Sequence, residues 1–245
     1  MLLDAPTLAA VAALALGASV IGGIGGFGTG VILTAALTPL IGVKAVVPVL
    51  AVAGVIINAG RFWFYRESFD RRALAVVLAA SLPFLVLGAW IYSALDARAV
   101  GTILGCVVIA SVPARRILKK RQITLGTSGL AVGAGIWGLA SGVASGTGMI
   151  LVSTLLGAGL SGTTVLATDA LATIVFDLCK AALFHRFDLL DAEAFATGAV
   201  IGLATIPGSA TAKLLVNRMG ARLHVLFMEA LILFGGAFML WHSWR

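Results

Sequence analysis

The sequence predicts an all-α polytopic membrane protein built from two inverted-topology repeats. Hydrophobic residues make up 60% of the 245 residues and charged residues 11%, whereas about a quarter of the residues in a soluble domain are charged. The segment GTGVIL at 28–33 recurs as GTGMIL at 146–151, which indicates an internal duplication. Connecting segments at matching positions also carry opposite charge. We therefore divide one membrane domain into a first repeat, 1–121, and a second repeat, 122–245.

The first repeat begins with an apolar run at 6–21, which predicts a helix. It ends in the segment 22–30, where six of nine residues are glycine. Each glycine in a helix interior costs about 1 kcal/mol relative to alanine, so we predict an unwound break followed by a short helix at 29–40. Further helices are predicted at 44–64, 73–95 and 99–112. The basic segment 115–121 (RRILKKR) is predicted to be the hinge between the repeats.

The second repeat has the same order of elements. Apolar runs at 125–143 and 149–160 flank a second break at 144–148, and helices follow at 163–184, 192–215 and 221–241. A membrane-spanning helix needs about 20 mostly apolar residues. The broken first pair of each repeat therefore has two interpretations, either two full crossings or one re-entrant hairpin.

Charge in the connections predicts the inversion. The segment 61–72 carries four arginines against two acidic residues, whereas its counterpart 184–193 carries Arg186 against Asp188, Asp191 and Glu193. Lysine and arginine accumulate in cytoplasmic loops, so matching loops lie on opposite sides of the membrane. An odd number of crossings per repeat satisfies this, either five, or three with a re-entrant hairpin.

Several function classes conflict with the sequence. Nucleic-acid binding needs basic residues on one folded polar face, but these lie between apolar runs. General acid or base catalysis needs a positioned histidine or carboxylate, and both breaks contain neither. We therefore predict no enzymatic activity, no cofactor and no metal.

The two breaks are the predicted substrate site. Backbone that leaves a helix at membrane depth must line a cavity or be buried in protein, and a helix amino end attracts anions. The alternative is that the glycines only allow close helix packing. The predicted substrate-binding residues of the breaks are Gly28, Thr29, Gly30, Ser145, Gly146, Thr147 and Gly148.

Polar residues inside the apolar runs add a second group of candidates. Asn58 and Arg61 in the first repeat match Asp177 and Lys180 in the second, and residues three apart share a helix face. We assign Arg61 and Lys180 to anion binding, Asn58 to orienting the anion, and Asp177 to pairing with Lys180 or carrying a coupled proton. Alternatively, Arg61 and Lys180 extend to the membrane interface. Asp169 is a helix cap or a second coupling residue.

The glycine-rich segment 22–30, its second copy at 141–148, and the duplicated apolar layout with a basic linker resemble the TauE/SafE family of sulfite and organosulfonate exporters. The resemblance covers nearly the whole chain. It implies a secondary transporter in the bacterial inner membrane that moves sulfite, sulfoacetate or related organosulfonates, usually outward. Alternating access around a midplane site would accomplish this. An anion channel and a membrane-embedded lipid-phosphate hydrolase are the alternatives. The expected partners are a small anion, membrane lipid and a second copy of the chain, without nucleic acid.

Overall fold

The computed structural model describes residues 4–25, 29–121, 125–160 and 162–216, with scattered positions between 230 and 244. Within these ranges the chain is helical and contains no strand, which confirms the predicted all-α class. The α-helices within 4–216 are α1 (Ala5–Gly25), α2 (Thr29–Ile41), α3 (Val43–Tyr65), α4 (Arg71–Ala94), α5 (Ala97–Arg121), α6 (Thr127–Val143), α7 (Gly148–Gly157), α8 (Gly162–Arg186) and α9 (Ala192–Val216). A short 3-10 turn, Arg66–Ser68, joins α3 to α4. The helix predicted at 221–241 lies largely outside the described residues.

Part of the predicted first break is helical. Helix α1 continues to Gly25, so Gly22, Gly23 and Gly25 are helical although they fall in the predicted break at 22–30. Helix propensity is a weak local preference that tertiary packing overrides, and α1 packs against both α2 and α9. Helix α2 begins at Thr29 as predicted, whereas Gly28 lies outside the described residues.

The second break lies where the sequence places it. Helix α6 ends at Val143, α7 begins at Gly148, and residues 144–147 between them are not helical. Gly146 has a φ of +85°, a backbone conformation that residues with a side chain rarely adopt. The glycine is therefore required for the path of the chain between the two helices.

The basic segment 115–121 is not a hinge. It forms the last two turns of α5, which runs unbroken to Arg121. Lysine and arginine are good helix formers, so the basic segment continues the apolar helix that precedes it.

Packing between helices follows a repeated pattern. Helix α3 packs against α8, α4 against α6, and α1 against α9. In the two repeats α1 would correspond to α6, α2 to α7, α3 to α8 and α4 to α9. When each helix is replaced by its counterpart, the contact of α4 with α6 becomes that of α9 with α1, and both contacts are present. The contacts of α3 with α9 and of α8 with α4 correspond in the same way. This exchange is expected of a duplicated chain, and the inverted orientation of the repeats stays a prediction.

Apolar side chains cover the outside of the bundle. By length and composition, Val43–Trp63 and Arg71–Ala94 can each cross a membrane, and shorter apolar helices accompany them. Large apolar side chains point outward from α3, α4, α6 and α9, among them Trp63, Trp90, Val132 and Leu203. Exposed apolar surface of this extent marks an interaction site, and for these helices the natural neighbour is lipid.

Candidate functional site

The start of α2 touches the break between α6 and α7. A Cβ atom added to Gly30 would lie 3.3 Å from the backbone nitrogen of Gly146. A Cβ added to Gly146 would lie 2.3 Å from Cγ2 of Val31 and 3.0 Å from its backbone nitrogen. Two backbones approach this closely only because both positions are glycine. The structure thus brings Gly30 and Gly146, predicted from separate halves of the sequence, into direct contact.

Buried hydroxyl groups line the second break. Ser145 and Thr147 are both buried, and the hydroxyl of Thr147 forms a short hydrogen bond with that of Ser141 on α6. Thr147 precedes α7, but its side chain caps no amide of that helix among the described residues. The first amide N–H groups of α7 consequently keep the partial positive charge of a helix start.

The remaining break residues are less enclosed. Thr29 and Gly30 are half-buried at the start of α2, as is Gly148 at the start of α7. A Cβ added to Gly148 would meet no heavy atom within 4 Å, so close packing does not explain a glycine at this position.

Polar residues, most of them buried, lie along the contact between α3 and α8. We call Asn58, Arg61, Asp169, Asp177 and Lys180 the α3–α8 seam. Arg61 meets Asp169, and Gly54, earlier on α3, meets Asp177, later on α8. The contacts therefore run in opposite directions along the two helices, which pack antiparallel. Charged groups are costly inside a membrane and mark functional positions or partners.

Arg61 forms an ion pair with Asp169. The Arg61 side chain is 24% exposed and that of Asp169 is 3% exposed, so this arginine reaches inward to α8 as well as towards the surface. Asp169 lies within α8 and does not cap it. Its Oδ1 atom is buried without a hydrogen-bond partner among the described residues. Next to it, the Thr168 hydroxyl accepts a hydrogen bond of 3.0 Å from the backbone N–H of Asp70, which attaches the start of α4 to α8.

Asp177 and Lys180 are buried on one face of α8. Lys180 is only 3% exposed, which rules out the alternative that it extends to the interface. No ion pair joins it to the Asp177 carboxylate among the described residues. Asp177 is nevertheless close enough to act electrostatically on Lys180. Lys180 thus has a neighbouring counter-charge but no direct ion pair or hydrogen bond within the described part of the chain.

Gly54 provides the space that the Asp177 carboxyl occupies. A Cβ added to Gly54 would lie only 2.1 Å from Oδ2 of Asp177. Asn58 is attached to the same turn of α3, because its Nδ2 donates a hydrogen bond of 2.8 Å to the Gly54 carbonyl oxygen. The described contacts therefore do not place Asn58 beside Arg61 as a joint anion-binding pair.

Sequence reasoning missed three contributors, Gly54, Ser141 and Thr168. Gly54 had a usable signal, since it lies four residues before Asn58 and therefore on the same helix face. Ser141 belongs to the small-residue segment 141–148, but nothing in the sequence indicates that its hydroxyl faces Thr147. Thr168 contacts Asp70 from a distant part of the chain, a contact that depends on tertiary structure.

Comparison with known protein families gives one match, which covers most of the chain. The family model described as "Sulfite exporter TauE/SafE" matches residues 11–239, in agreement with the resemblance seen in the sequence. Neither curated proteins nor solved structures gave a match. The matched family consists of membrane transporters and is not an enzyme family, which rules against the lipid-phosphate hydrolase.

Proposed function

Because this chain belongs to the sulfite exporter TauE/SafE family, we propose that it is a secondary transporter of sulfite and small organosulfonates such as sulfoacetate. The bacterial inner membrane is its proposed location and export its proposed direction. A homodimer is the expected assembly, since the chain is small for a transporter. The family match itself establishes a membrane transporter of sulfur-containing anions.

The contact between Gly30 and Gly146 carries the proposed site. It joins the first turn of α2 to the non-helical residues that precede α7. Helix amino ends present free N–H donors and a partial positive charge. A sulfonate has three oxygens that accept such hydrogen bonds, and Thr29, Ser145 and Thr147 supply hydroxyl donors beside them.

Lys180 supplies positive charge for the same ligand. Burial of an ammonium group without a direct partner is costly, and an incoming anion reduces that cost. Arg61 already contacts Asp169, so its charge is largely offset within the protein. We therefore assign anion attraction to Lys180 first and treat Arg61 as the cation of a structural ion pair.

The duplicated packing supports an alternating-access mechanism. In transporters built from inverted repeats, one group of helices rocks against another around a central site formed by broken helices. The α4–α6 contact has its counterpart in the α1–α9 contact, and the α3–α9 contact has its counterpart in the α4–α8 contact. Paired contacts of this kind are expected of such a scaffold. The same site would then be reached from either side of the membrane in turn.

Flux of radiolabelled sulfoacetate in proteoliposomes tests this function. We expect saturable flux. Thr147→Val should raise the substrate concentration that gives half-maximal flux at least tenfold, since a hydrogen bond to a charged group contributes about 1.5–3 kcal/mol. The matched control is Thr102→Val on α5, where the exposed hydroxyl donates to the Arg98 carbonyl oxygen of its own helix and has no other partner among the described residues. Native affinity in both Thr147→Val and Thr29→Val would refute the site. Non-saturable flux at ion-channel rates would favour an anion channel.

A further inference from the structure

We propose that an anion binding at Lys180 brings a proton with it, taken up by the carboxylate of Asp177, and that Gly54 is the positioning residue for this carboxyl. The inference rests on the proposed function and concerns how the same site keeps its charge balanced. In chemical terms, a carboxylate and a proton from the water that reaches the site become a carboxylic acid, and no other bond changes.

The first support is the geometry of the pair. Asp177 and Lys180 lie three residues apart on α8, both buried, and no ion pair joins them within the described part of the chain. The Asp177 carboxyl lies instead against the Cα of Gly54. The Asp177 carboxylate thus offsets the charge of Lys180 without direct contact. An anion that binds to the Lys180 ammonium group therefore does not have to break an ion pair first.

The second support is charge conservation in a buried site. The empty pair consists of one cation and one carboxylate, so its net charge is zero. Addition of a singly charged anion leaves one uncompensated negative charge, and an isolated buried charge is so unfavourable that the group usually becomes neutral instead. Protonation of Asp177 restores a net charge of zero. The Arg61–Asp169 pair remains neutral through direct contact and has no reason to exchange a proton.

The third support is the distribution of other ionisable groups. On the elements packed against α8, these groups lie towards the ends of the helices and in the turn between α3 and α4, whereas Gly54 lies mid-helix; on α8 itself, Cys179 lies between Asp177 and Lys180. Helix α7 contains none. These groups are Lys44, Arg61 and Tyr65 on α3, Arg66 and Glu67 in the 3-10 turn, Arg71, Arg72 and Tyr92 on α4, and Asp169, Cys179, His185 and Arg186 on α8 itself. Asp177 is therefore the acidic group best placed to take up a proton when an anion binds at Lys180.

The role of Gly54 is steric. An alanine at this position would place its Cβ 2.1 Å from Asp177 Oδ2, so the carboxyl would have to leave its present place. Gly133→Ala is a matched control, because its Cβ would lie 2.4 Å from Cγ2 of Thr154, a similar collision with a side chain that does not ionise. A purely structural role for Gly54 predicts that both substitutions act alike.

The experiment measures proton uptake during anion binding. Full-length protein in detergent is titrated with isethionate, a singly charged sulfonate that does not titrate near neutral pH, in weak buffer with a pH indicator. Calorimetry of the same titration gives the Kd. For the wild type we expect about one proton per bound anion and, by linkage, an affinity that falls about tenfold per pH unit where Asp177 is ionised.

The variants separate the possible outcomes. Asp177→Asn should bind isethionate without proton uptake and with a flat pH profile, whereas Asp169→Asn should retain both uptake and slope. Gly54→Ala should reduce uptake or shift the pH profile, and Gly133→Ala should do neither. Wild-type binding without proton uptake, or an unchanged slope in Asp177→Asn, overturns this inference alone. Failure of the wild type to bind isethionate counts against the proposed substrate class, and the inference fails with it.

Discussion

Replacement of Gly146 by alanine tests whether the second break contacts the start of α2. The φ of Gly146 is +85°, and a residue with a Cβ pays about 1–2 kcal/mol to adopt such a conformation. The added Cβ would also lie 2.3 Å from Cγ2 of Val31, and overpacking of this kind costs typically about 1–3 kcal/mol. We therefore expect the free energy of unfolding to fall by about 2–5 kcal/mol, the sum of those two ranges.

A matched variant separates the two contributions. Gly159 has a φ of +92°, and a Cβ added there would meet nothing within 4 Å. Gly159→Ala should thus lose only the backbone part, about 1–2 kcal/mol. The difference between the two variants then measures contact between the α6–α7 break and the start of α2. Addition of Val31→Ala to Gly146→Ala should recover part of that difference, because it removes the colliding methyl group.

Unfolding in mixed micelles, driven by increasing sodium dodecyl sulfate and followed by tryptophan fluorescence, provides the measurement. The signal is suitable because Trp137 is buried on α6 and its ring packs against Phe176 on α8, with centroids 4.3 Å apart. Equal losses of stability in Gly146→Ala and Gly159→Ala would show that the start of α2 does not rest on the second break. The proposed site would then lack its central contact.

Two further substitutions test the polar contacts around the site. Arg61→Ala leaves the buried Asp169 carboxylate without its counter-charge and should cost about 3 kcal/mol, at the low end for a broken buried ion pair, because the arginine is 24% exposed. Removal of both partners should cost less in the same unfolding assay, and equal costs would argue against a compensating pair. Ser141→Ala removes the hydroxyl that bonds Thr147 and should cost about 1 kcal/mol while weakening isethionate binding a few-fold by calorimetry. Unchanged stability and affinity would show that Thr147 needs no support from α6.

The sequence predicted the structure best where the local preference of the residues was not opposed by tertiary packing. A duplicated Gly-Thr-Gly and an apolar composition predicted a helical membrane chain with a second break at 144–148, and α6 and α7 end and begin there. Gly146 explains this success, since a positive φ is a local backbone requirement that glycine meets. The start of α2 at Thr29 followed from the same reasoning.

Local rules failed where tertiary packing or helix continuity outweighed them. The glycines at 22, 23 and 25 predicted unwinding, but α1 keeps its helical form through Gly25 because it is packed along α9 and α2. The cluster RRILKKR predicted a hinge, yet α5 continues through it to Arg121. In both segments the individual residue preferences are about 1 kcal/mol or less each, too small to decide the outcome against continuing helix contacts.

The pairing of charges across α3 and α8 was beyond sequence reasoning because it depends on how two distant helices align. The spacing of Asn58 to Arg61 resembles that of Asp177 to Lys180, which predicts two equivalent pairs. In the structure Arg61 instead takes Asp169 from the other helix, and Asn58 bonds its own helix. Equivalent spacing in two repeats therefore gave different partners.

This difference has a mechanistic consequence for the α3–α8 seam. At one end the cation touches its carboxylate across two helices, so motion of α3 against α8 there must separate a direct ion pair. At the other end Lys180 and its neighbouring counter-charge, Asp177, belong to the same helix and move together. A rocking movement of α3 against α8 would thus cost more at the Arg61 end than at the Lys180 end. An anion bound at Lys180 can shift the balance between states that expose opposite sides of the site only through a difference in its affinity for them.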